Sequence, residues 1–62
     1  MVSVIEYGEN IGTLKNLFVD HSEADLFVKK LINWSKSKYE CIGLQQWYCN
    51  EKKEYIKIEM AA

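Results

Sequence analysis

Only one stretch of this chain repeats at the helical period for long enough to define an element. At 100° per residue, residues 22–38 (SEADLFVKKLINWSKSK) place Ala24, Val28, Leu31 and Ser35 on one line. Phe27 and Trp34 flank that line on one side and Ile32 on the other. Lys29, Lys30, Asn33, Lys36 and Ser37 fall toward water. The spacing predicts one helix over 22–38 with an apolar stripe wide enough to cover a sheet. Ser22 with Asp25 resembles a capping box, and Asp20 with Glu23 makes an equally good one two residues earlier. Glu23 and Asp25 suit the positive end of the helix dipole, and Lys36 and Lys38 the negative end. Leu26 points away from the stripe. It reads as a local contact near His21, as one exposed leucine, or as an anchor for a partner.

Everything else reads as strands. Residues 2–7 (VSVIEY) are β-branched and aromatic. Gly8 and Gly12 around Asn10 signal a turn, and residues 13–20 read as a second strand. A glycine pair can also cradle phosphate, but that needs a helix starting at the loop, and a strand follows instead. Leu14 and Phe18 share a face with Asn16 between them, and Leu17 and Val19 take the other. After the helix, residues 39–49 read as one long strand with Gly43 as a bulge or close approach. Asn50 to Lys53 form a polar turn. Residues 54–60 alternate cleanly, with Ile56, Ile58 and Met60 on one face and Tyr55, Lys57 and Glu59 on the other. The expected architecture is therefore α+β: a small two-layer β-β-α-β-β domain over residues 1–62, with a mostly antiparallel four-stranded sheet and one helix on one face. That layout is common among small bacterial and phage proteins, which is an analogy of layout alone.

A chain of 62 residues has room for one thin core. Area scaling gives roughly 4,200 Å² folded against roughly 10,600 Å² extended, so about 60% is buried. Domains this small usually gain stability from a disulfide, a metal, a partner subunit or unusually good packing. Cys41 and Cys49 are the whole thiol inventory. In a single extended strand they would lie roughly 27 Å apart, beyond bridging. They read as small buried hydrophobes, and with one histidine elsewhere no zinc quartet or redox pair forms. No secretory leader or bilayer-length apolar run is present, so the chain reads as cytoplasmic with reduced thiols.

The formal charge is −1, from eight basic and nine acidic residues. That excludes a strongly basic nucleic-acid binder and a strongly acidic mimic of one. Every basic residue is lysine, which disfavours bidentate reading of bases. His21 has no nucleophile placed near it by any motif. Glu6, Glu40 and Glu59 could meet only through a strand order that sequence does not supply. No catalytic residue, metal ligand, cofactor or small-molecule substrate is expected.

One surface stands out. If residues 50–53 close an antiparallel hairpin, Cys49 faces Glu54, Tyr48 faces Tyr55, Trp47 faces Ile56, Gln46 faces Lys57 and Gln45 faces Ile58. Trp47, Ile56, Ile58 and Met60 then face the helix. Tyr48, Tyr55, Gln46 and Lys57 face away, joined by Ile42 and Leu44 unless a bulge at Gly43 turns those inward. One helix covers one side of a sheet, so this second face meets water or another molecule. The tyrosine pair alone would add ~0.2–1 kcal/mol to the hairpin. As a binding surface it suits a protein partner or a second copy, and a homodimer through it would relieve the small core. Single-stranded nucleic acid stacked on the tyrosines is the alternative, opposed by Glu51, Glu54 and Glu59. The expectation is a non-enzymatic interaction module, self-associating, of the kind that regulates or inhibits a larger protein.

Overall fold

The computed structural model describes residues 1–35 and 38–60. Among them the order is β1 (Val2–Gly8), β2 (Gly12–Phe18), α1 (His21–Ser35), β3 (Glu40–Gly43), β4 (Gln46–Cys49) and β5 (Glu54–Met60). The strands form one sheet in the order β2-β1-β5-β4-β3. Every pairing is antiparallel.

The α+β class, the antiparallel sheet and the single helix are as the sequence implies, but the described residues form five strands, not four. The long strand expected over 39–49 is a hairpin. Cys41 faces Trp47 and Gly43 faces Gln46, so Ile42 is an extra, bulged residue. The chain then reverses at Leu44 and Gln45. Gln45 takes a left-handed conformation, φ 57°, of the kind that tight turns use to reverse the chain. The reversal removes the basis for separating the cysteines by strand length. Cys41 and Cys49 lie on the same sheet face, and both are free thiols. Cys49 is buried as expected. Cys41 is exposed, because β3 is an edge strand, and its thiol donates to the Gly43 carbonyl at 3.1 Å. Leu44 sits at the hairpin tip, 95% exposed.

The glycine turn is a hairpin, with Gly8 paired to Gly12. Gly12 supplies the positive φ, 70°. Gly8 answers a different need: a Cβ there would lie 2.7 Å from the Lys53 carbonyl oxygen, so β5 can approach β1 only against a glycine.

The earlier of the two caps starts the helix. Asp20 Oδ1 accepts from the Glu23 amide at 3.0 Å, and the Ala24 amide reaches the Asp20 carbonyl at 3.3 Å. Glu23 returns a carboxylate oxygen to the Val19 amide at 3.4 Å. Asp25 is not a cap partner of Ser22. It pairs instead with Lys29 one turn on, at 3.2 Å. The helix runs to Ser35, and Lys36 and Ser37 lie outside the described residues.

Register assigns the faces. Val2, Val4 and Glu6 look toward α1, with Leu14, Asn16 and Phe18 on β2 and Ile56, Ile58 and Met60 on β5 beside them. The core is Val2, Val4, Ala24, Val28, Ile56 and Ile58, with Phe18, Phe27, Ile32, Tyr39 and Trp47 packed against it. Three expected members are absent from this cluster: Leu31, which is half-buried, and two exposed side chains. Trp34 is 85% exposed and Met60 is 78% exposed: Trp34 stands at the margin of the helix stripe, beside Lys30 and Asn33, and Met60 is the last residue of β5. The folded chain exposes 4570 Å², above the roughly 4,200 Å² that its mass implies. A chain this size has a net stability of about 3–9 kcal/mol, so losing one core side chain such as Ile56, at about 2–5 kcal/mol for truncation to alanine, is a large share of it.

The capping geometry makes a discriminating prediction. Asp20→Ala should lower stability by about 1 kcal/mol, whereas Ser22→Ala should change it by less than about 0.3 kcal/mol, read from urea denaturation followed by circular dichroism.

Candidate functional site: the uncovered sheet face

The hairpin joining β4 to β5 has the register the sequence implies. Gln46 faces Lys57, Tyr48 faces Tyr55 and Cys49 faces Glu54. The ladder ends at Gln46, and one further bond continues it, from the Ile58 amide to the Gln45 carbonyl at 3.0 Å. All four residues singled out from sequence, Tyr48, Tyr55, Gln46 and Lys57, lie on the face away from α1.

The pairing of β1 with β5 adds a residue that sequence reasoning missed. Tyr7 faces Tyr55, and the three tyrosines form a row across β1, β5 and β4. The Tyr7 and Tyr55 rings stack with centroids 4.9 Å apart and planes 12° apart. Tyr55 and Tyr48 are 4.5 Å apart and inclined by 37°. Tyr7 was hidden because nothing in the local pattern says that the two ends of the chain are neighbours. The one available signal was level: Tyr7 directly precedes the glycine turn as Tyr55 directly follows the polar turn.

Lys57 anchors the polar end of the row. Its ammonium lies 5.5 Å from the Tyr7 ring centroid and 2.9 Å from Glu59 Oε1. Hydrogen bonding and charge from Glu59 push the Lys57 amine above its ordinary range. The reciprocal interaction with Lys57 holds Glu59 below the ordinary carboxylate range. At the other end, Tyr7, Tyr48, Tyr55, Lys53 and the glycine turn border an open depression of about 460 Å³. The face thus offers aromatic edges and hydroxyls, the Lys57–Glu59 ion pair, the Gln46 amide, and Lys15 and Glu40 toward its two edges, with no enclosed chamber among the described residues.

The opposite face carries a second polar group. Glu6 and Glu54 both point to the helix side of the sheet. The Tyr39 hydroxyl donates to Glu54 Oε2 at 3.2 Å. Burial, the Glu54 charge and that hydrogen bond push the Tyr39 phenol up to about 12. Burial, then the Glu54 charge, raises the Glu6 carboxyl. Glu40 and Glu59, by contrast, share the tyrosine face, opposite Tyr48 and Ser3, so the trio Glu6, Glu40 and Glu59 is not brought together. His21 is exposed at the first position of α1.

Comparison with protein-family models, curated proteins and solved structures returns no significant match.

The carboxyl on the helix side has a measurable signature. Glu6 binds its proton more tightly in the folded chain than in the unfolded one. Its contribution to stability is therefore full below its ordinary value of 4.5 and declines as pH rises through the raised folded value. Glu6→Gln should unfold at higher urea than the parent at pH 7, and the advantage should shrink toward zero as the pH falls below 4.5.

Proposed function

We propose that this chain is a small protein–protein interaction module, without catalytic activity, whose contact surface is the sheet face centred on Tyr7, Tyr48 and Tyr55, with Gln46 and Lys57 beside them. The observation that carries the reading is the tyrosine row on a face that no other element of the described chain covers. Tyrosine is suited to such a surface: it contributes a large rigid contact area at little entropic cost and keeps a hydroxyl for hydrogen bonding. A regulator or inhibitor of a larger protein is the role this fits, since occupying a partner's surface needs no chemistry of its own. The reading has the chain acting in the cytoplasm, in keeping with the free thiols of Cys41 and Cys49.

Ring geometry favours a protein over single-stranded nucleic acid. Stacking a base needs a free ring face, and here Tyr55 is flanked on both sides by tyrosine rings. Lys57, whose ammonium lies over the Tyr7 ring, is already paired with Glu59, which weakens its attraction for a phosphate chain.

The double variant Tyr48→Ser/Tyr55→Ser should lose at least about tenfold in affinity for a protein that the immobilised parent chain captures from an extract of the producing cells, while its far-UV circular dichroism stays close to that of the parent. A short single-stranded oligonucleotide titrated against the parent should give no saturable binding. Equal capture by the variant would remove the proposal, and oligonucleotide binding lost in the variant would replace it with the nucleic-acid reading.

A further inference from the structure

The edge formed by β2 is the least protected part of the molecule. Residues 12–17 are all exposed, although the strand carries Leu14 and Leu17 at 50% and 58% exposure and is followed by Val19 at 75%. A seven-residue edge strand presents a row of unpaired backbone groups. The other edge, β3, is four residues long and bulged at Ile42, which suits it poorly for adding a strand.

We infer that β2 is a self-association edge, at which a second copy of this chain adds its own β2 antiparallel across a two-fold axis normal to the sheet. The surface is self-complementary in one register. Isologous pairing places each residue opposite a symmetry-related one. The register with the longest overlap pivots on Lys15 and puts the two Lys15 ammoniums directly opposite each other, which is unfavourable. Shifting the pivot one residue, to Asn16, places Lys15 opposite Leu17 of the second copy and Leu14 opposite Phe18 of the second copy.

That second pairing has a receptor. Phe18 packs on Phe27 with ring centroids 5.0 Å apart. Together with Leu26 and Lys30 they line an open groove between the edge strand and the helix. Leu14 of the second copy, standing beside Phe18 on the same face, fills it. The axis keeps the helices of both copies on one side of a continuous sheet, where Leu26, 58% exposed, gains a neighbour. The tyrosine faces lie on the other side and stay open. The inference is therefore independent of the tyrosine-face proposal: it moves self-association to the edge and leaves that face for a partner.

Sedimentation equilibrium on the full chain tests it. The mass should rise with concentration toward about 15 kDa, twice the 7.3 kDa chain. Leu17→Lys places a lysine opposite Lys15 of the second copy, and should weaken dimerisation at least about tenfold. Leu17→Glu places a carboxylate there, and should keep or tighten the dimer. Asn16→Cys in a Cys41→Ser background should form a disulfide-linked dimer on oxidation, because only this register sets the position opposite itself. Leu17 is exposed, so both charge variants should keep the parent circular dichroism. A monomer at every concentration would overturn the inference, as would equal dimerisation by Leu17→Lys and Leu17→Glu. Loss of the dimer in Tyr48→Ser/Tyr55→Ser would also overturn it and assign self-association to the tyrosine face.

Discussion

The antiparallel register between β1 and β5 decides both faces of this molecule at once. Val4 opposite Ile58 and Val2 opposite Met60 set the side that meets the helix. One residue out of phase, Tyr7 opposite Tyr55 and Ile5 opposite Lys57 set the side that does not. A slip of one residue would turn the valines to water and the tyrosines under the helix. Gly8 helps hold the register, because the Lys53 carbonyl stands where any larger residue would put its Cβ. The glycine turn and the polar turn are thereby locked at the same level, and the tyrosine row is assembled just inside them.

A single fifteen-residue helix can cover only part of five strands. It lies over β1, β2 and β5 and completely buries two residues of its own, Ala24 and Val28. The consequences are visible at three places. Trp34, at the margin of the helix stripe, is left exposed. The Glu6, Tyr39 and Glu54 group fills part of the helix side with polar contacts rather than apolar ones. No other element of the described chain covers the tyrosine side. A chain with so small a core gains from any partner that binds only its folded form, and both proposed contacts, at the face and at the β2 edge, act in that direction.

Local patterns made much of this readable in advance. Alternation at Ile56, Ile58 and Met60 located β5, the polar turn at 50–53 fixed its register with β4, and those two facts alone put Tyr48, Tyr55, Gln46 and Lys57 on one face. The helix was readable from its stripe, and one of two candidate caps proved to be in use. Two features were beyond such reasoning. The pairing of β1 with β5 joins the ends of the chain, and no short-range signal encodes it, so Tyr7 stayed hidden. The reversal at Leu44 and Gln45 lacks proline, and its left-handed residue is a glutamine rather than the glycine or asparagine that marks such turns. A five-strand sheet was therefore read as four, and Cys41 was taken for a buried residue. Trp34 and Met60 were misplaced for another reason: periodicity gives the direction of a side chain but not where its neighbouring layer ends.

The central claim is that the tyrosine face is a protein contact surface. The most direct measurement is an amide-resolved NMR spectrum of the isotopically labelled chain, recorded alone and then in a clarified extract of the cells that produce it. The account predicts shifts or broadening concentrated at Tyr7, Gln46, Tyr48, Tyr55 and Lys57, with the helix-side core residues Val4, Val28 and Ile56 unmoved. Perturbation elsewhere with these five residues unchanged would contradict it.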